Sequence, residues 1–534
     1  MPGGTLNLIA TGAENVILNS NPKKTFFKAT YAKHTNFGLQ KFRLNQEKQR
    51  ELDFINETEF DFKIPRYADL LNDTFVCVTL PNIYSTLYYD AVNAIYVPFE
   101  FNWVENLGTT MIKEIQITAG GLTLAKYSGE YIHCISHRDL SKAKKDVFDQ
   151  MIGHVPELYD PANGDGLSGT YPNAYYNSNT TSENSEPSIR QRKLFIPLNS
   201  WFSRSSKLSL PLISLQYQEI QIKIRFRPVK ELYTIMDVEK ATPTRIAPDP
   251  NNTNHQLRRF LRKPLASDRT TNPSITARDR WFADVHLMST YVFLDEPERQ
   301  VFARQSNSIL IKQVIEYDFL KRTGSRKIDV KSRNCVSNYM FRFRRSDAFT
   351  RNQWTNYTNW SYTGVRPQPL IANGTAGNTY NGSGSITGDV GNYPVNLKYI
   401  LLDMALVLNG EYRENILDSG VYLYCEKYTK TSGTFKEGLY HYSFAQNTNI
   451  NEYQPSGSMN MSKYDKITFE FNTIDTPVNP NSNTNFICNN SGQLIGIRKP
   501  TEDLNQYNFD FKVFEEKYNV ITFSNGNVNL LYTN

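Results

Sequence analysis

Two runs in which apolar and polar residues alternate, LPLISLQYQEIQIKIRFRP ending at Pro228 and WFADVHLMSTYVFLD beginning at Trp281, flank a stretch without sustained periodicity. Alternation of period two marks strands that bury one face. The stretch between them contains ATPTRIAPDPNNTNHQLRRFLRKP and ASDRTTNPSITARDR, rich in Pro, Asn, Thr and Arg, and reads as a connection rather than a core element. It leaves roughly 200 residues on one side and roughly 250 on the other, each the size of one all-β domain. A chain of 534 residues can bury two such cores. Its 33 Tyr and 31 Phe suit half-buried sheets, and its Asn, Gly and Pro suit the turns between them.

Charge and cysteine content narrow the function classes. Net charge is +6, from 59 basic and 53 acidic residues, without the concentrated basic patch of a nucleic-acid binder. The runs RRFLRKP, FRFRR and RKIDVKSR read as solvated or ion-paired faces. Cys77, Cys134, Cys335, Cys425 and Cys488 are too scattered for a zinc or redox motif and read as reduced thiols. MPGGTLNLIATGAENV lacks the pattern of a secretory signal, and no run is long enough to span a membrane.

Residues 1–34 form a candidate arm, with Ser20 or Asn21 expected to cap a brief helix that has Pro22 in its first turn. Strands are expected from NFGLQKFRL onward, with Ala119-Gly-Gly as a tight hairpin turn between IKEIQIT and LTLAKY. DLSKAKKDVFDQM and DEPERQVFARQ read as carried helices; the second has Pro297 near its start, early acids and later arginines. Residues 156–190 and 351–395 are long, polar and aperiodic, which suggests surface excursions with a recognition role. Each half thus holds short strands, a long excursion and a carried helix in comparable order, a duplication of layout without evident identity.

No catalytic constellation emerges, and neither a metal nor a cofactor is expected. There is no phosphate-binding Gly-rich loop and no Gly-x-Ser-x-Gly. YIHCISH alternates like a strand, which would set His133 and His137 on one face about 13 Å apart, with Cys134 on the other. A carbohydrate-binding β-sandwich using Trp354, Trp360 and Tyr362 as platforms is the rival to an assembly protein.

SNPKKTFFKATYAKHTNF (20–37) resembles the N-terminal signature of the major capsid proteins of nucleocytoplasmic large DNA viruses. The matching positions are Asn21, Pro22, Phe26, Phe27, Lys28, His34, Thr35, Asn36 and Phe37. LPLISLQYQEI, ADVHLMSTYVFLDEPERQVFA and the C-terminal EKYNVITFSNGNVNLLYTN also resemble the family, as does GLYHYSFAQNTNINEYQPSGSMNMSKYDKITF with its Gln454, Pro455, Ser456 and Gly457. SNGNVNLLYTN departs from the glycine-richer final turn of many relatives.

The resemblance implies an all-β double jelly roll: two eight-stranded antiparallel β-sandwiches side by side, with short carried helices. It implies an arm at 1–34, a first jelly roll at 35–228 with a loop at 156–190, a connection at 229–280, and a second jelly roll at 281–534 with a loop at 351–395. It further implies a homotrimer presenting six jelly rolls as a pseudo-hexagonal capsomer in the outer icosahedral shell of a virion assembled in host cytoplasm. Neighbouring capsomers, minor capsid proteins, and an internal membrane layer on the N-terminal side would be its contacts, with no direct nucleic-acid contact. The loops would face outward toward the host surface, with Asn179, Asn356 and Asn373 as glycosylation candidates.

Overall fold

The computed structural model describes residues 3–46, 51–85, 87–90, 95–174, 186–238, 244–264, 281–360, 397–449, 452, 454–476, 485–488, 491, 493–498 and 505–532. The first unit holds β1 (Phe37–Asn45), β2 (Thr58–Lys63), β3 (Leu70–Thr79), β4 (Ile112–Ala119), β5 (Leu122–Tyr127), β6 (Lys193–Pro197), β7 (Leu210–Pro211), β8 (Ile220–Phe226) and β9 (His286–Leu294). One sheet has the order β1-β9-β3-β7, with β6 also on β3; the other has the order β2-β8-β4-β5. The second unit holds β10 (Asn307–Phe319), β11 (Ser325–Asp329), β12 (Cys335–Arg345), β13 (Leu401–Leu408), β14 (Leu439–Ser443), β15 (Ile467–Thr473) and β16 (Phe509–Ser524). Its sheets run β10-β16-β12-β14 and β11-β15-β13, and Glu411–Tyr412 and Leu417–Asp418 continue the second sheet beyond β13. In each unit the first strand pairs with the last, and the last with the third. The layout expected from sequence is therefore a duplicated topology, a double jelly roll.

Alternation produces the cores. β8 buries Ile220, Ile222, Ile224 and Phe226 and turns Gln221, Lys223 and Arg225 outward. Phe60 of β2 meets Phe226 edge-on at 5.2 Å, a favoured aromatic geometry. The second core is more aromatic: Phe343 stacks on Phe511 at 4.8 Å and Phe341 on Tyr440 at 5.4 Å. The β4–β5 hairpin turns at Gly120 and Gly121, both with positive φ as expected for a two-residue turn. The departing final turn is of the same kind, with Asn525 at φ 51° and Gly526 at φ 78° joining β16 to Asn527–Leu530.

Several expectations give way. Strand β9 pairs with β1 and β3, so the run from Trp281 completes the first sandwich and does not open the second. Alternation identifies the strand but not its partner. The connection, which the resemblance implies is fixed between the rolls and not a hinge, packs into the first unit. Tyr233–Asp237 pairs with Phe101–Trp103 and Thr244–Ile246, and the helix Leu257–Leu261 buries Phe260 in the first core. Within the excursion at 156–190, Tyr171 is buried and donates its hydroxyl to the Phe101 carbonyl at 2.7 Å, so that part packs inward.

Ser20 terminates a helix instead of starting one: Val16–Asn19 is helical, Ser20 is extended and Asn21 is left-handed at φ 52°. Left-handed Asn followed by Pro is a stop signal. YIHCISH lies in helix α1 (Gly129–Asp139), whose N-cap Ser128 accepts a hydrogen bond from the Tyr131 amide. Nine of its eleven residues are buried, so no solvent-facing stripe gives it helical periodicity. The expected helix at 295–305 forms as α2 (Glu296–Arg304), capped by Asp295.

Candidate assembly surfaces

Helix α1 is the wedge between the units. It leaves the first sandwich after β5 and packs on the outer face of β12 and β16. Glu130 in its first turn takes a bidentate pair of bonds from Arg342 at 2.7 and 3.1 Å, with Lys512 at 3.5 Å. Near its end, fully buried Arg138 bridges Asp139 at 2.7 Å and Glu516 at 3.0 Å, while Tyr131 and Asn338 also donate to Glu516. Burial alone would raise both carboxyls. Arg342, Arg344 and Lys512 instead hold Glu130 well below its ordinary range, and Arg138 and Lys312 hold Glu516 at about 2. Such charge-assisted pairs survive burial because each charge has several partners. Arg342 and Arg344, expected on an ion-paired or solvated face, lie in this junction.

Further bonds fasten the wedge. Gly433 donates its amide to the Arg138 carbonyl at 2.7 Å, and Lys427 Nζ reaches the His137 carbonyl at 2.7 Å. From the other side, Asn352 donates to the Lys230 and Tyr233 carbonyls, both at 2.8 Å. A cleft of about 770 Å³ remains between the units, walled by β5 and β10 and floored by Arg342, Lys512 and Glu130.

The histidines pack differently from the strand arrangement expected of them. On the helix His133 and His137 are ring neighbours, 4.8 Å apart, instead of distant residues on a strand. Burial, with Lys436 and Lys145 close by, keeps His133 well below its ordinary pKa and therefore neutral. Among the described residues no group of three or more His, Cys, Asp or Glu could hold a metal. Cys77, Cys134, Cys335 and Cys425 are free thiols.

The signature residues fall into two places. Asn21, Pro22, Phe26, Phe27 and Lys28 lie on the arm, with Phe27 99% exposed. His34 bonds the Thr35 carbonyl through Nδ1 at 2.8 Å and its ring lies 5.9 Å from that of Phe37, the first residue of β1, with Asn36 between. Gln454 and Pro455 are exposed, and the Ser456 hydroxyl donates to the Asn447 carbonyl at 2.8 Å. Gly457 has φ 138°, and a Cβ there would lie 3.1 Å from the Phe444 carbonyl oxygen, so the turn requires glycine.

Of the glycosylation candidates, Asn179 and Asn373 lie outside the described residues. Asn356 is only 7% exposed; its amide donates to the Trp360 carbonyl at 2.7 Å and its oxygen accepts from Thr358, which leaves no room for a sugar. Trp354 is no open platform either: its indole donates to the Glu231 carbonyl at 2.9 Å and its ring lies under Arg227 at 4.3 Å. Trp360 has Lys398 over its ring at 5.6 Å, and Tyr362 lies outside the described residues.

Comparison with known proteins agrees with this architecture. The profile described as "Major capsid protein N-terminus" matches residues 25–295, and "Large eukaryotic DNA virus major capsid protein" matches 298–528. Capsid protein 1 of Acanthamoeba polyphaga mimivirus is 31% identical over 59% of this chain, a match spanning 44% of that protein's length. Probable capsid protein 4 of the same virus is 24% identical over 90% of this chain and 94% of its own. The solved structure of the Faustovirus major capsid protein superposes with a TM-score of 0.62 at 12% identity, covering 94% of this chain and 93% of that one.

Proposed function

The chain belongs to the major capsid protein family of large eukaryotic DNA viruses, and we propose that three copies of it build a pseudo-hexagonal capsomer. Its role is structural, in the capsid of an icosahedral DNA virus, and not catalytic. The observation that carries the trimer is the duplication itself: two sandwiches of one strand order, held side by side by the buried junction around α1. Three such chains place six similar sandwiches around one axis. In this reading the division between jelly rolls falls at α2, and the arm with its signature from Asn21 to Phe37 lies on the inner side of the shell, toward minor capsid proteins and an internal membrane layer. Gln454 to Gly457 fix a turn before the short strand Met459–Asn460. Neighbouring capsomers would meet along the rim. The outward loops would face the host, in a virion assembled in host cytoplasm.

Electron microscopy of the purified full chain tests this. Class averages with threefold symmetry and six lobes are expected; particles of one chain at micromolar concentration would overturn the trimer. A glycan array reads the rival carbohydrate function, for which specific binding lost on deleting 351–395 is the required result.

A further inference from the structure

Four of the chain's seven histidines gather where the two units meet. His133 and His137 lie on α1, His154 follows the helix Lys142–Ile152 of the first unit, and His441 lies on β14 of the second. His133 and His441 are buried. Neither ring nitrogen of His133, nor Nδ1 of His441, has a hydrogen-bond partner among the described residues. Polar atoms left unpaired in an interior are costly, and each such group calls for a reason. The other two rings make contacts. Nδ1 of His154 accepts the Asn106 amide at 3.4 Å, which only an unprotonated nitrogen can do. Nδ1 of His137 lies 3.2 Å from the Thr434 hydroxyl of the second unit.

Cations ring the cluster. Lys145 of the first unit and Lys427 and Lys436 of the second lie within electrostatic reach of these rings. Arg138 is close to His441, and Arg227 and Arg344 line a small chamber with His133. The acids nearby are already engaged. Asp149 pairs with Lys145, Asp139 and Glu516 with Arg138, and Glu130 with Arg342. Glu437 pairs with Lys398, and both Glu437 and Glu105 lie near Lys436. Among the described residues, a proton added to one of these rings therefore meets lysines and arginines and no uncommitted carboxylate. Burial and then Lys436 hold His133 well below its ordinary pKa; burial and then Lys427 do the same to His441. Burial and His133 lower His137, and burial and Lys145 lower His154 to about 4.

We propose that this cluster makes the wedge an acid-sensitive latch: protons entering the histidines loosen the hold of the 427–441 segment on α1 and let the two units part. A histidine freed to solvent takes up its proton near pH 6.5. Between that pH and the lower values of the enclosed rings, the open state thus binds more protons than the closed one. Closure is fully favoured above about pH 6.5 and weakens as pH falls. The contacts released are specific. Gly433 on the Arg138 carbonyl and Lys427 on the His137 carbonyl grip the same half of α1 that carries the histidines. The ion pairs of the wedge do not titrate in this window, since Glu516 is held at about 2 and Glu130 well below its ordinary range. Burial raises Asp149, whose protonation would leave Lys145 unpaired and act in the same sense.

Amide hydrogen exchange on the full-length protein at pH 7.5 and pH 5, corrected for intrinsic rates, tests the latch. The opening constant of α1 is expected to rise at least about 30-fold at the lower pH, the factor for one histidine that is neutral when closed and titrates near 6.5 when open. Strand β8, inside the first core, is expected to change little. His133→Gln combined with His441→Gln is expected to cut the rise at least about tenfold. No rise, an equal rise in α1 and β8, or a rise that the variant keeps in full overturns the latch. If the variant does not fold, exchange at the histidine C2 carbons of the wild type decides. Rings 133 and 441 that take protons only well below pH 6.5, together with the rise in α1, support the latch; rings that titrate near 6.5 in the closed protein overturn it.

Discussion

At the level of single residues, burial separates two neighbouring glutamates of β16. Glu516 faces the other unit and is held at about 2 by Arg138 and Lys312 against the effect of burial. Glu515 faces its own sandwich, where burial pushes it up to about 7 and Lys517 offsets only part of that. A carboxyl whose folded pKa is raised costs stability as pH rises from its unfolded value, near 4.5, to about 7, because the unfolded chain then sheds the proton first. Glu515→Gln is therefore expected to raise Tm at pH 8 by about 2 °C or more and to leave it unchanged at pH 4. Equal shifts at both pH values would contradict this account. None of this was legible in EEKYNV. Period two places Glu515 and Glu516 on opposite faces but does not say that both faces are covered.

Among the elements, the wedge helix shows why local pattern failed. YIHCISH alternates as a strand does, yet its backbone is helical because Ser128 caps it and surfaces from both units enclose it. Tertiary burial on all sides outweighs a weak local preference. Its C-terminal end is gripped by the backbone around Gly433, where a Cβ would lie 2.4 Å from the Arg138 carbonyl. Gly433→Ala is expected to destabilise the chain by ~1–3 kcal/mol, the usual cost of overpacking, read as an earlier midpoint in urea. An unchanged midpoint would show that the loop can withdraw freely. By contrast α2 was legible in full, since Asp295, Pro297 and the early acids act within one turn.

For the whole molecule, the two sandwiches share apolar contact as well as charge. Met340, Phe514, Ile521 and Phe523 of the second unit belong to the first unit's hydrophobic cluster. Separating the units would expose these side chains together with the paired ions around α1. Calorimetry of the full chain is therefore expected to show one cooperative transition, and residues 1–295 expressed alone are expected to aggregate. Two transitions more than about 10 °C apart would indicate units that fold independently and would displace the junction from its structural role.

Alternation, turn residues and helix caps act over a few residues, and they determined the β class, the hairpin at Gly120 and Gly121, the duplicated layout and, through its signatures, the family resemblance. Partnership between distant segments is another matter. That β9 closes the first sandwich, that the stretch after Pro228 enters its core, that α1 is a helix, and that Arg342 is buried were decided only by the folded chain. The physical reason is that a strand's period reveals which side chains share a face, whereas what covers that face is set by pairings across more than 200 residues, such as Glu130 with Arg342.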